Sequence, residues 1–354
     1  MFNKLFIIYT GVILSLVSCK VDPKIKLPVP ALPSNNVVEV IPEGFPKPVY
    51  TFSNNPISQN SFILGRSLFY ETLLSVDNSI SCGSCHQQVV AFAHADHQFS
   101  HGVNNQETMR NSPSMFNLTW APAFMHDAAI PNIELQPIAP IHNKVEMGEN
   151  IVNVIAKLKA SAKYKELFIN AYGSDEINAQ KMFKSMAQFM ALLYSYNSKY
   201  DHYKRQEAGG KMTEAELKGY SLFVAKCSSC HKEPLFTDFV VRSNGLKIDP
   251  LINDSGRSHI TGLPEDVFKF KTPSLRNIAL TGPYMHDGSL KTLQQCLDHY
   301  TSGITNLTNL DPLLQNNGLQ MTAEQKTDII AFLYTLTDYQ FINDKRFADP
   351  NVPK

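Results

Sequence analysis

The chain has 354 residues, of which 32 are basic and 32 acidic, so its formal net charge is zero. That balance leaves no electrostatic footprint for nucleic acid. With 18% charged and 43% hydrophobic residues, the length suits two domains of ordinary size, each with a sizeable core.

The first residues read "MFNKLFIIYTGVILSLVSCK". Lys4 gives a short positive region, and residues 5–17 form an apolar run too short to span a bilayer, as in an export signal. Leu16-Val17-Ser18-Cys19 looks like a bacterial lipobox, which predicts a lipoprotein signal peptide over 1–19 and acylation of Cys19. The bland alternative is an ordinary secretory signal that happens to contain a cysteine. Acyl chains would anchor the protein to a membrane surface. Prolines at 23, 28, 30, 33, 42, 46, 48 and 56 predict a semi-extended tether without a core over 20–60.

Beyond the tether, strand signals are sparse and helix signals frequent. The stretch "LGRSLFYE" (64–71) precedes "CGSCH" (82–86), and a loop with His94, His97 and His101 follows. Then comes "SPSMFNLTWAPAFMHDAA" (112–129). Residues 151–171 predict an amphipathic helix. Over 176–200, Met182, Met186, Phe189, Met190 and Leu193 recur at helical spacing, a core stripe. "QEAGGK" (206–211) predicts the joint between domains. Thr213 and Glu216 make a capping box, and Thr322 with Gln325 repeat the device before "DIIAFLYTL".

The second half restates the first. "KGYSLFVA" (218–225) precedes "CSSCH" (227–231), and "TPSLRNIALTGPYMHDGS" (272–289) lies on 112–129 without a gap. Pro113, Ser114, Asn117, Met125, His126 and Asp127 recur as Pro273, Ser274, Asn277, Met285, His286 and Asp287. Such a long-period repeat predicts two copies of one structural unit. The expected fold is mostly α: two homologous domains, 61–205 and 211–345, related by internal duplication, with long irregular loops.

Cys-x-x-Cys-His is the attachment signature of c-type haem. Two thiols bond the porphyrin vinyl groups, and the next His is held against the iron. Cys82, Cys85 and His86 thus predict one haem, and Cys227, Cys230 and His231 a second. A shared zinc site is disfavoured, because the two Cys pairs stand 145 residues apart. Thiol redox chemistry needs no His at the fifth position. Of the six cysteines, Cys19 is assigned to lipid and only Cys296 is left over.

The segments "LGRSLFYETLLSVDNSISCGSCH", "RNSPSMFNL", "QPIAPIHNKVEMG" and "KTPSLRNIALTGPYMHDGSLKTL" closely resemble the bacterial dihaem cytochrome c peroxidases and their MauG-like relatives. The resemblance runs over roughly residues 60–340, with the motifs in family order. It implies that the first haem is the peroxide site and the second an electron-transfer haem. It assigns Gln136, Pro140 and Glu146 to the distal pocket, as members of Q-x-x-x-P-x-x-x-x-x-E-M. The chemistry agrees with these residue types. Splitting a peroxide O–O bond moves a proton between its oxygens, which a carboxylate can carry. Gln136 can position the peroxide, and Pro140 shapes the pocket. The resemblance also assigns a calcium ion between the haems to Asn111, Thr281 and Pro283, whose carbonyls suit a hard cation.

The sequence departs from the family at His126, where relatives carry a Trp that relays oxidising equivalents. The only Trp, Trp120, lies six residues earlier. In some members a loop His caps the peroxidatic iron, and His101 is the best placed for that; a solvated loop His is the alternative. In the second half, Leu290, Leu293, Leu297 and Tyr300 share a helical face. Many family members place Met 14 residues after the His of "HDG", as the electron-entry ligand. Here that residue is Tyr300, as in the MauG-like group, so Tyr300 is the expected ligand of the second haem. A packing role for Tyr300, with His299 or water on the iron, is the bland alternative.

The expected activity is reduction of hydrogen peroxide to water with electrons from a small redox protein, a cytochrome c or a cupredoxin. The rivals are a MauG-like enzyme that oxidises a protein side chain, and a non-catalytic electron carrier or peroxide sensor. The expected location is the periplasmic side of a bacterial membrane, lipid-anchored. Family members often dimerise, so a homodimer is among the expected states.

Overall fold

Most helix starts are set by local capping. The computed structural model describes residues 37–316 and 318–352. Helices α1 (Gln59–Phe69), α2 (Cys82–Cys85), α3 (Ile138–His142), α4 (Ile151–Ala160), α5 (Ala162–Tyr172) and α6 (Ala179–Ala191) occupy the first half. Then come α7 (Lys199–Lys204), α8 (Glu214–Lys226), α9 (Ser258–Thr261), α10 (Leu293–Asp298), α11 (Ala323–Tyr334) and α12 (Tyr339–Ile342). Strands β1 (Val241–Arg242) and β2 (Phe270–Lys271) pair antiparallel, with Val241 opposite Lys271. Side chains of Ser58, Thr213, Thr292 and Thr322 cap α1, α8, α10 and α11, the last three as full capping boxes.

Two helix pairs organise the fold. Helix α1 packs on α6, and α8 on α11. Each pair closes over a glycine. A Cβ on Gly65 would meet the Ser185 carbonyl carbon at 2.6 Å, and one on Gly219 would meet Phe332 Cβ at 2.9 Å. Gly65 and Gly219 hold the same place in "LGRSLFYE" and "KGYSLFVA", so both copies of the motif need a residue without a side chain there.

The buried apolar side chains form two clusters. The first holds Phe62, Phe69, Phe92, Met182, Met186, Phe189 and Met190. The second holds Tyr200, Phe223, Phe236, Ile329 and Phe332. Each fully buried side chain of this size stabilises the fold by about 1.5–3 kcal/mol. The methionine stripe of 176–200 is core, as its spacing predicts.

Three features differ from the sequence expectations. Residues 151–171 are two helices, because Ser161 takes an extended conformation between α4 and α5. The described part of the 20–60 segment is docked. Phe45 packs on Trp120, Phe52 is buried, and the Tyr50 hydroxyl donates to Glu134. The chain end crosses back, since Phe341 and Phe347 lie in the first cluster although 341–345 falls within the expected second domain. The signal peptide and Cys19 lie outside the described residues. Among the described residues, no helix is long and apolar enough to cross a membrane.

Two candidate haem pockets

Each pentad forms one helical turn with its His just beyond. In the first, Ser81 and Ser84 cap α2, and His86 N donates to Cys82 O. His86 Nδ1 lies 2.9 Å from the carbonyl oxygen of Phe92. A carbonyl only accepts, so Nδ1 carries the proton and Nε2 keeps its lone pair. In the second, α8 ends at Lys226 and His231 N again donates to the first cysteine, at Cys227 O. His231 Nδ1 lies 3.1 Å from Phe236 O and 3.2 Å from Pro273 O. Phe92 and Phe236 both adopt left-handed backbone, which turns each carbonyl onto its imidazole.

Cys82, Cys85, Cys227 and Cys230 are unpaired thiols. Burial pushes Cys82 and Cys227 up to about 12, so each stays a neutral thiol. Among the described residues no three His, Cys, Asp or Glu side chains converge as a metal-ion site. Paired thiols beside an imidazole with a free Nε2 and a fixed Nδ1 are what covalent haem requires. Both pentads fit the group.

The first pocket carries an acid. Helix α3 follows the turn that ends at Gln136, and Pro140 sits within it. Pro140 O accepts from Met147 N, which folds the Glu146 turn back over the helix. Burial pushes the Glu146 carboxyl up from the ordinary value of 4.5, against the lowering effects of Asn143 and Arg110. Asn143 Nδ2 donates to Glu146 Oε1 at 2.6 Å. Glu146 lies near enough to Cys82 and Cys85 for its charge to raise both thiols. Gln136 Nε2 points at Met125 Sδ, 3.8 Å away.

The His101 loop lines this same wall. Val103 N donates to Glu146 O at 2.9 Å. His101 packs on His97, and His97 on His94, with ring centroids 5.1 and 4.3 Å apart. His101 Nδ1 is buried without a hydrogen-bond partner.

The second pocket carries a phenol in place of the acid. Helix α10 ends in a π-helical turn over His299–Gly303, which holds Tyr300. Leu290 lies outside α10, bridged to Tyr284, and Leu293 and Leu297 carry the buried face. Burial pushes the Tyr300 hydroxyl up to about 12, against a hydrogen bond from the Asn244 side chain. Tyr300 lies near enough to the Cys227 and Cys230 thiols for each to raise its hydroxyl. His299 is turned elsewhere, with its Nε2 3.0 Å from Asn244 O. Cys296 is a desolvated thiol near Tyr300 and Tyr284.

Between the pockets, Arg110 joins the two halves through Asp127 (2.7 Å) and Asp254 (2.6 Å). His126 Nε2 lies 2.8 Å from Asn111 O, and burial pushes this imidazole down to about 4. His286 stacks on Phe270 with ring centroids 3.7 Å apart. Asn111 N donates to His286 O, which sets Asn111 against the turn that follows Thr281 and Pro283. Trp120 lies away from this junction, its indole donating to Pro46 O.

Asn143 and Asn244 carry no motif. Asn143 precedes Glu146 by three residues, a spacing that could have marked it. Asn244 stands 56 residues before Tyr300 and leaves no local signal.

A mostly helical chain with two haem-attachment pentads, one with a half-buried carboxyl near it and the other with a half-buried phenol, is a two-haem c-type cytochrome. Comparison with known proteins agrees. The family model of the di-haem cytochrome c peroxidases matches residues 59–209. Over 302 residues the chain is 33% identical to the methylamine utilization protein MauG of Methylorubrum extorquens, covering 83% of this chain and 82% of that protein. Over 282 residues it is 31% identical to the cytochrome c551 peroxidase of Nitrosomonas europaea, covering 78% and 80%. A crystal structure of a MauG-like protein associated with microbial copper homeostasis superposes with a TM-score of 0.79 at 33% identity. It covers 88% of this chain and 98% of that one. The chain therefore belongs to the dihaem cytochrome c peroxidase and MauG-like family. Membership implies haem c cofactors, hydrogen peroxide as substrate and a redox partner.

Proposed function

We propose that the protein reduces hydrogen peroxide to water at the first pocket, with electrons entering at the second haem from a small cytochrome c or cupredoxin. The observation that supports this reading is the desolvated, half-buried Glu146 carboxyl, near enough to Cys82 and Cys85 for its charge to raise both thiols. A haem held there by His86 supplies the iron that binds peroxide and accepts electrons. Glu146 takes the proton from the inner peroxide oxygen and returns it to the outer one, which leaves as water. Asn143 fixes Glu146 Oε1 by donating to it, leaving Oε2 for the proton transfer. Gln136 offers its amide to the peroxide, and Pro140 contributes no N–H and narrows the pocket. His101, whose buried Nδ1 has no partner, would cap the iron of a haem held by His86 before turnover.

A MauG-like reaction, in which peroxide drives oxidation of a protein side chain, is the second reading. The Tyr300 phenol favours it, because it lies near Cys227 and Cys230 while His299 Nε2 is spent on a backbone carbonyl. An anionic phenolate would favour ferric and higher-valent iron, where a thioether raises the potential.

The wider setting forms part of the same proposal. The halves are copies of one ancestral haem module, as the matching Gly65/Gly219 and His86/His231 environments support. Asn111 and the carbonyls of Thr281 and Pro283 would hold a calcium ion between them. Cys19 carries the lipid anchor on the periplasmic side. The test is hydrogen peroxide consumption with reduced cytochrome c as donor. Catalytic turnover supports the enzyme, whereas both haems cycling without peroxide loss would indicate a carrier.

A further inference from the structure

Each half closes with a short helical turn that packs into the other half. Helix α7, which follows α6, lies within the expected first domain, yet Tyr200 belongs to the second apolar cluster. Helix α12, which follows α11, lies within the expected second domain, yet Phe341 belongs to the first cluster. The two segments meet at one residue. Asp338, 1% exposed, accepts from Tyr196 N and Asn197 N at Oδ2 and from Phe341 N at Oδ1, each at 2.9 Å. Two of the asparagines that recur in the repeat clamp this crossing. Asn117 Oδ1 accepts from Ser195 N at 2.9 Å, and Asn277 Oδ1 accepts from Asp338 N at 2.8 Å.

The crossed turns end against the loops that orient the proximal histidines. Phe92, whose carbonyl receives His86 Nδ1, lies 5.7 Å from Phe341 between ring centroids. Gln88, in the same loop, donates to Asp344 O at 2.8 Å. In the second half, Phe236, whose carbonyl receives His231 Nδ1, lies 4.9 Å from Tyr200. That loop also has a polar tie, because Arg276 Nε donates to Pro234 O at 2.8 Å while its guanidinium is bonded bidentately to Asp201. Phe92 and Phe236 are fully buried and left-handed, a backbone state that a non-glycine residue keeps only when its surroundings hold it. Phe341 and Tyr200 are part of what holds them, and each comes from the opposite half.

We propose that Phe341 and Tyr200 are positioning residues that fix the proximal histidine of the opposite half, Phe341 acting on His86 through Phe92 and Tyr200 acting on His231 through Phe236. The inference rests on both pentads holding haem, and not on peroxide reduction, because it concerns the resting ligands. A carbonyl held on the Nδ1 proton makes an imidazole more basic at Nε2. A more basic ligand favours the ferric state and lowers the potential. Removing the Phe341 ring frees Phe92 to turn its carbonyl away from His86, which weakens that ligand. Removing the Tyr200 ring does the same to His231 through Phe236. Each haem is thus tuned by the half that does not carry its cysteines.

The experiment is redox titration of the holoprotein, with low-temperature electron paramagnetic resonance of the ferric state to resolve the two haems. The signal that changes in His86→Met identifies the first haem. Phe341→Ala should raise the midpoint potential and shift the g values of the first haem, and leave the second as in wild type. Tyr200→Ala should do the reverse. Tyr200→Phe, which keeps the ring, should match wild type. Should alanine prevent folding, Phe341→Leu and Tyr200→Leu decide by the same readouts, with smaller shifts at the same haems. A shift confined to the haem of the variant's own half overturns the assignment. So do equal shifts at both haems, or no shift at either. If wild type carries no covalently attached haem, the haem reading itself fails, and this inference fails with it.

Discussion

Replacing Gly102 by alanine should move Glu146 without touching its chemistry. Gly102 has φ −99°, a conformation any residue adopts, so only space decides the outcome. An added Cβ would meet Glu146 O at 2.6 Å and Glu146 Cα at 2.7 Å, with Val145 O nearer still. Ordinary contact begins at 3.4 Å, so the Glu146 backbone must retreat by at least 0.8 Å. Val103 N, which donates to Glu146 O, ties the two strands of chain and opposes that retreat. A displacement near 1 Å at a positioned catalytic group costs on the order of 10²-fold in rate. The overpacking itself should destabilise the fold by about 1–3 kcal/mol, which leaves the protein folded. The assay is steady-state peroxide turnover, with haem absorption as the check on folding. The expected result is a fall in kcat of on the order of 10²-fold with both haems retained. Wild-type kcat in Gly102→Ala would refute the claim that Glu146 must hold this position.

Other outcomes follow from the same geometry. Arg276 is fully buried and bonded bidentately to Asp201 at 2.7 and 2.8 Å, so Asp201→Asn should destabilise the fold by about 3–5 kcal/mol in denaturant titration. Burial alone would raise the Asp201 carboxyl, but Arg276 and Ser198 hold it below the ordinary value of 3.8. Its stabilisation is therefore present above that value and lost as pH falls through the depressed one, and Asp201→Asn should lose less stability over that acid range. Because burial raises Glu146 above 4.5, and its ionised form accepts the proton, kcat should fall on acidification with a midpoint above 4.5. Tyr300→Phe should change the low-spin resonance and the potential of the second haem only, as read by redox titration. Cys19→Ser should move the protein from the membrane to the soluble fraction without loss of haem.

The local parts of this account are legible in the sequence. The pentads, the Thr213 and Thr322 capping boxes and the Met182–Met190 stripe depend on residues a few positions apart, and their chemistry is written in that spacing. Glu146 is readable only because Gln136 and Pro140 stand at a matching interval. What the sequence hides is contact between distant segments. Phe45 and Tyr50 sit in a proline-rich stretch, and nothing local says that Trp120 and Glu134 receive them. Phe341 and Phe347 follow α11 in sequence but pack in the first cluster, because their apolar faces are satisfied there. Ser161 breaks an amphipathic pattern that runs on through it. Asn244 reaches Tyr300 only through the fold.

The central claim is that Glu146 carries the proton when peroxide is cleaved at the first pocket. Its most direct test is single-turnover stopped-flow of wild type and Glu146→Gln with hydrogen peroxide, following the haem absorption change. Glutamine keeps the size and the contact with Asn143 but cannot take the proton. The account predicts that both haems remain attached and that the peroxide-dependent step slows by roughly 10²–10⁴-fold. A peroxide step in Glu146→Gln as fast as in wild type would contradict it.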